Sequence, residues 1–379
     1  MTNKVKNITV TCVMAVLLFG LAFWTWFKPA DEFSTSERRE LAKFPELSWG
    51  TIMHDDSEKT FMKLFEKYTL DQFPLRDTFR TLKSFTSFYV FQNMDNNNIY
   101  VEDGYAAQLE YPVKEDSLDY AANKFETAFK QYFSSKANAY FSIVPDKGYF
   151  LAEQNGYLSM DYEEFFSMMA EKMDFAEYID ITGELALEDY YKTDTHWRQE
   201  KILDVAKKLA EGMGVTLAAQ YEEKTLDNPF YGVYYGQSAL PLPAEEMKYL
   251  TNDILENCTV YSYEDKKQIP VYDMEKAFGK DPYEMYLSGN LTAVKITNPS
   301  ATTDKELVIF RDSFGASLSP LLIEAYAEIV IVDIRYATIS AISGLTDNTG
   351  RPLAIDFKTA DDVLFIYSSL VLNNSSTIR

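Results

Sequence analysis

Histidine and cysteine are scarce in this chain: two of each in 379 residues, His54 and His196, Cys12 and Cys258. Cys12 lies in an apolar N-terminal run, so the two cysteines are not expected to pair. No disulfide framework and no zinc-type cysteine cluster can be drawn from them. With two histidines, acid clusters such as Glu163-Glu164 read as solvated helix faces, and no metal site is expected. There is no glycine-rich phosphate loop and no dinucleotide fingerprint. Basic residues are also in deficit, 36 Lys and Arg against 58 Asp and Glu, for a net charge of -22. Such a surface repels nucleic acid phosphates, which excludes DNA and RNA as partners. No internal repeat and no low-complexity tract is present. A disulfide-free, outward-facing domain suits a surface that lacks an oxidising folding compartment.

Apolar and aromatic residues are plentiful. The chain is 46% hydrophobic with 27 Tyr and 26 Phe, enough for a large packed core. Tyrosines serve a half-wet core and a sugar-binding surface equally well. Residues 8–27, ITVTCVMAVLLFGLAFWTWF, carry no charge and are long enough to cross a bilayer. Lys4 and Lys6 precede them, which favours a cytoplasmic N-terminus (residues 1–7) and an exported remainder. Trp24, Trp26 and Phe27 occupy the position of an interfacial belt. No small-x-small cleavage site follows, so an uncleaved signal anchor is expected in preference to a removed signal peptide or a buried core helix. Residues 28–92 are expected to form a stalk and packing helices, with helical spacing from Phe61 to Phe91 broken at Pro74.

From residue 93 to 379 the pattern becomes α/β. Strands are predicted at Ala139 to Val144, Tyr178 to Ile181, Lys305 to Phe310, Ile329 to Ile334 and Val363 to Tyr367. Helices are predicted at Tyr162 to Met173, Arg198 to Glu211 and Ala316 to Tyr326. Short apolar strands alternating with helices predict a parallel sheet covered on both faces. Residues 218–300, rich in Tyr, Gly and Pro, read as an irregular, partly antiparallel insertion of the kind that forms substrate walls.

Two segments carry the chemistry. In Asp194-Thr195-His196-Trp197 a histidine base follows an acid by two positions, and a tight loop lets that carboxylate fix one ring nitrogen while the other faces a nucleophile. The structural alternative is that Asp194 or Thr195 caps a helix starting near Trp197. Trp197 is expected to wedge the loop into position. Ser313 follows an apolar strand and precedes a helix, at the carboxyl end of a sheet where open α/β folds bind ligands. The alternative there is that Asp312 or Ser313 caps the helix. His54 lies in a polar stretch, MHDDSEK, where a solvated residue is expected, which leaves His196 as the histidine base.

DTHW, followed far downstream by a strand and DSF, resembles the DHHW family, relatives of the alginate O-acetylation proteins AlgJ and AlgX within the SGNH hydrolase-like superfamily. ERRELAKFPELS, FEKYTLDQFPLRD, YFSIVPDKGYF, FYGVYYGQS and MYLSGN extend the likeness over residues 36–337. As in the alginate relatives, Asp194 and His196 precede the serine, the reverse of ordinary SGNH enzymes. The resemblance implies an SGNH hydrolase-like α/β fold, Ser313 as nucleophile, His196 as its base and Asp194 as the orienting acid. It implies O-acetyl transfer to a polysaccharide outside the membrane, without a soluble cofactor, with a membrane-bound O-acyltransferase as acetyl donor. An O-acetyl esterase using the same residues, and a non-catalytic glycan-binding or assembly protein, are the alternatives. The Ser313 N–H is the expected oxyanion donor, with Gly289 and Asn290 as second candidates. Lys147 and Arg311 are further candidates for oxyanion or substrate contact. Arg311 stands where many SGNH enzymes have glycine, and Thr195 where the family name has histidine.

Overall fold

The computed structural model describes residues 3–48, 60–344 and 355–379, and His54 lies outside them. The chain divides into two units, residues 1–96 with 235–241, and residues 97–234 with 242–379.

The first unit contains α1 (Asn3–Phe27), which is long and apolar enough to cross a membrane. It also contains α2 (Phe61–Asp71) and α3 (Arg76–Phe85), followed by a wide turn over Thr86–Val90. Pro74 separates α2 from α3, and Leu75 takes a left-handed conformation with φ of 56° at the break. The Arg39 guanidinium grips the buried Asp71 carboxylate at the end of α2 through two contacts, 2.8 and 2.5 Å. This pairing holds Asp71 down at about 2 against the cost of burial.

The second unit is built on an eight-stranded sheet. In chain order its strands are β1 (Asn138–Val144), β2 (Glu177–Tyr178), β3 (Thr259–Ser262), β4 (Lys267–Ile269), β5 (Ala293–Thr297), β6 (Glu306–Arg311), β7 (Glu328–Val332) and β8 (Asp362–Ser368). Their spatial order is β4-β3-β5-β7-β6-β8-β1-β2. The five strands from β7 to β2 are parallel, while β5, β3 and β4 continue the sheet in antiparallel fashion. Those three antiparallel strands come from residues 259–297. The segment read as a partly antiparallel insertion thus contributes three short antiparallel strands to the main sheet itself.

Alternation along β6 shows why the sheet is buried on both sides. Leu307 and Ile309 enter one core with Leu364 and Ile366 of β8, whereas Val308 and Phe310 enter the other with Val363 and Phe365. On the second face lie α4 (Glu115–Tyr132), through Leu118, Ala121, Ala122 and Phe125, and α5 (Tyr162–Lys172), through Phe165 and Met169. The three- and four-residue spacing of these apolar side chains is what makes each helix one-sided. On the first face lies α6 (Leu203–Gly212), through Val205, Ala206 and Leu209.

Two helices differ from their predicted extents. The one expected from Arg198 opens as a 3-10 turn, Gln199–Lys201, and becomes α6 only at Leu203. Gln199 is fully buried and bridges the Ser317 carbonyl to the Leu250 N–H, which holds this turn off the helical path. The one expected at Ala316 to Tyr326 is a short α7 (Phe314–Leu318) that tightens into a 3-10 helix at Ser319–Ala325. Pro320 has no N–H for an α-helical bond at that point.

Candidate active site

The DTHW segment sits on a closed loop. Tyr190 and Trp197 form an antiparallel bridge, and the Tyr191 N–H donates to the His196 carbonyl at 3.0 Å. Inside the loop Asp194 Oδ1 accepts the His196 N–H at 3.1 Å and lies 2.5 Å from His196 Nδ1. Asp194 Oδ2 accepts the Val233 N–H at 2.8 Å. The acid thus bonds both the His196 ring and the first N–H of the short helix Val233–Ser238, while the turn after Trp197 opens at Gln199–Lys201. With the Nδ1 proton directed at Asp194, Nε2 faces Ser313 Oγ at 2.7 Å. Asp194 is buried, and the side chain of His196 keeps 12% of its exposure, so this chain of bonds is wet only at the His196–Ser313 end.

Ser313 reaches that position from the carboxyl end of β6. Its backbone is ordinary right-handed helix, φ -62° and ψ -24°, so its placement involves no backbone strain. The capping role falls to its neighbour. Asp312 is buried, with one oxygen accepting the Phe314 N–H at 3.0 Å and the other the Ser368 N–H at 2.7 Å. Asp312 therefore ties the start of α7 to the end of β8, and the serine hydroxyl is left to His196.

Trp197 is the wedge expected of it. Its ring is fully buried edge-on to Phe314, at 5.3 Å and 89°. Its indole N–H donates to Ser317 Oγ at 2.9 Å, with the Phe314 carbonyl at 3.2 Å. The Tyr283 ring lies parallel on the His196 imidazole, 3.8 Å away and tilted by 8°, and its hydroxyl bonds Ser317 Oγ at 2.8 Å. Burial, with Asp194 and Asp312 nearby, pushes the Tyr283 phenol well above its ordinary range, so it stays neutral.

The loop is held from both sides. Lys147 Nζ donates to the carbonyls of Tyr191 and Lys192, at 2.9 and 3.2 Å. The Glu245 carboxylate accepts the N–H groups of Lys192 and Thr193 and the Thr193 hydroxyl, each at 2.7 Å. Gly232 passes so close behind that a Cβ there would meet the Asp194 backbone at 2.3 Å.

Lys147 and Arg311, the candidates for oxyanion or substrate contact, are both buried. Lys147 is engaged with the two carbonyls of the loop. Arg311 donates to the carbonyls of Asp312 and Gly289, 3.3 and 3.2 Å away, and has Asp333 at 3.7 Å. Gly289 is brought to β6 through that carbonyl, in a left-handed conformation with φ of 90° that favours glycine. Asn290 is exposed. Neither Gly289 nor Asn290 bonds Ser313. Among the described residues no group of three or more His, Cys, Asp or Glu is placed to hold a metal.

Sequence reading missed Gly232, Val233, Glu245 and Tyr283. The glycine between aromatics in FYGVYY was a usable signal of close backbone approach. Nothing in PYEMY marks Tyr283 as the partner of a histidine.

The sheet order, and the site at the carboxyl end of β6, define an α/β protein with a mostly parallel sheet flanked by helices. Solved structures carry the likeness further. A DHHW family protein from Eubacterium siraeum DSM 15702 is 22% identical, with 75% of this chain and 95% of that one covered at a TM-score of 0.56. PatB1 of Bacillus cereus is 17% identical over 72% of this chain and 96% of its own, with a TM-score of 0.55, and the same protein with a sulfonyl adduct scores 0.52. The O-acetyltransferase domain of Pseudomonas putida AlgJ is more distant, 10% identical over 73% and 92%, with a TM-score of 0.42. The chain shares its fold with that DHHW family protein and with PatB1. No protein-family model and no curated protein matches it.

Proposed function

We propose that this protein is a membrane-anchored O-acetyltransferase that acts on an exported or cell-surface polysaccharide through Ser313, His196 and Asp194. The observation that carries the reading is the unbroken chain of bonds from Asp194 through His196 to Ser313, 2.5 and 2.7 Å long. Ser313 Oγ attacks the acetyl carbonyl of the donor while His196 Nε2 takes its proton. The oxyanion collapses, the leaving group departs with that proton, and acetyl-Ser313 remains. A sugar hydroxyl then gives its proton to His196, attacks the acetyl carbon, and releases the serine, which recovers the proton. Asp194 stabilises the imidazolium formed in each half. The Ser313 N–H is the oxyanion donor in this scheme. No soluble cofactor enters either half.

The apolar α1 supports an anchor with the second unit outside the membrane. A membrane-bound O-acyltransferase is the proposed acetyl donor, as the DHHW resemblance implies. The 2.7 Å approach of Ser313 to His196 favours catalysis over a purely scaffolding role, because a binding protein needs no aligned nucleophile and base.

The test uses the full chain in detergent or liposomes with an activated acetyl ester and glycan oligomers. Acetylated oligomer should accumulate with the native protein and vanish with Ser313→Ala. A sulfonyl fluoride should label Ser313 and block turnover. Undiminished acetylation by Ser313→Ala sinks the assignment, and acetate release without acetylated sugar reassigns the protein as an esterase.

A further inference from the structure

Helix α3 is amphipathic with the wrong side in. Arg76, Arg80 and Ser84 form one stripe at four-residue spacing, and this polar stripe faces the protein. Arg76 pairs with Glu37 at 2.5 Å, and Arg80 donates to the Gly236 carbonyl at 2.6 Å. Ser84 is fully buried, its hydroxyl donating to the Ser238 carbonyl at 2.5 Å. The other stripe, Leu75, Phe79, Leu82 and Phe85 continuing to Tyr89, is between 43% and 65% exposed. Val90 and Phe91 extend it and are exposed too. A helix on a water-soluble surface buries its apolar stripe and shows its polar one. A contiguous apolar patch of this kind marks contact with a membrane or another protein.

The same unit indicates which. The apolar stripe of α3 is continuous with α1: Leu75 and Phe79 face Val13, Val16, Leu17 and Leu21 across an open cleft of about 670 Å³. A surface that joins a membrane-length helix without a polar break is suited to lipid chains. Tyr89, with its ring and hydroxyl, is of the type that sits at a lipid headgroup boundary. We propose that the outer stripe of α3, from Leu75 to Phe91, is a second membrane-contacting element that lies in the lipid surface beside α1. Arg76, Arg80 and Ser84 clamp it to its own unit, so it orients the first unit on the bilayer as a single span cannot.

The proposal rests on α1 being a membrane span, and the experiment separates the two. The full chain, with Cys12 and Cys258 replaced by serine, is spin-labelled one site at a time and reconstituted into phospholipid liposomes. The sites are Leu82→Cys, Phe85→Cys, Phe91→Cys, Val16→Cys as the span control and Lys207→Cys as the water control. Accessibility to oxygen, which enters lipid, is compared with that to a water-soluble nickel chelate. Labels at 82, 85 and 91 should favour oxygen several-fold over the Lys207 site, as the Val16 label does. Water-like values at 82, 85 and 91 with a lipid-like Val16 overturn the proposal and leave the span intact. Water-like values at all sites overturn both. Spin–spin broadening at 82, 85 or 91 that grows with protein-to-lipid ratio assigns the face to a second copy and overturns it as well. Protection from both probes after addition of membrane protein, from a water-like start, assigns it to a partner protein and does the same.

Discussion

The indole N–H of Trp197 donates to the hydroxyl of Ser317, so the residue after His196 is bonded to the residue four after Ser313. The neighbours of His196 and Ser313 are bonded to each other, which holds the two side chains at 2.7 Å. Trp197→Phe keeps most of the buried ring and removes the donor. It should cost about 1–2 kcal/mol of stability and roughly 10-fold or more in acetyl transfer through a misplaced imidazole. Denaturant titration and ester turnover measure the two.

Gly232 is the floor under Asp194. Gly232→Ala places a methyl where 2.3 Å separates it from the Asp194 backbone. The Asp194 loop must shift or the Thr193–Gly232 bond must break. Turnover should fall on the order of 100-fold, the penalty for an ångström-scale displacement of a catalytic group. Gly232→Ser should be no better, and recovery of full activity in either variant shows that the loop is free to move.

Asp194→Asn keeps shape and removes charge. The amide presents a donor where Nδ1–H needs an acceptor, or else turns and loses the Val233 N–H bond. The expected loss in kcat is roughly 10³- to 10⁴-fold, with the affinity for glycan unchanged. Single-turnover acetylation of Ser313 and equilibrium binding of an oligomer distinguish this from a folding defect.

Lys147 carries a pH signature. Burial pulls its ammonium from the ordinary 10.5 down to about 7. Between those values the unfolded chain holds a proton that the folded one has lost, so this group makes stability rise with pH, by up to ~1.4 kcal/mol per unit. Below about pH 7 both states are protonated and its contribution is flat. Lys147→Met should abolish that rise between pH 7 and 9, whatever it costs by orphaning the two carbonyls. Equal pH slopes for native and variant in urea unfolding refute the buried, neutralised lysine.

Elements with long apolar periodicity were legible without the structure. The apolar run of α1, the strand from Ala139 to Val144, the helix from Tyr162 and the Pro74 break all fall where side-chain spacing puts them. The three antiparallel strands between Thr259 and Thr297 were not, because they are short and their partners are distant in sequence. Asp194 and His196 could be paired on paper, since two residues of one loop bond locally. Lys147 could not be placed: its sequence position suits a substrate contact, and only packing buries it beneath the loop.

By itself, then, the sequence determined what is local: which residues are apolar and at what spacing, the scarcity of histidine, the acid two positions before His196, and a serine at the end of an apolar strand. The tertiary structure decided which groups meet. It brought Ser313 to His196 across 117 positions, set Tyr283 on the imidazole, passed Gly232 behind Asp194, and turned Lys147 and Arg311 inward. Contacts of this kind depend on sheet order and on the packing of Trp197 against α7. No local pattern encodes them, because each is the shared outcome of many side chains filling one core.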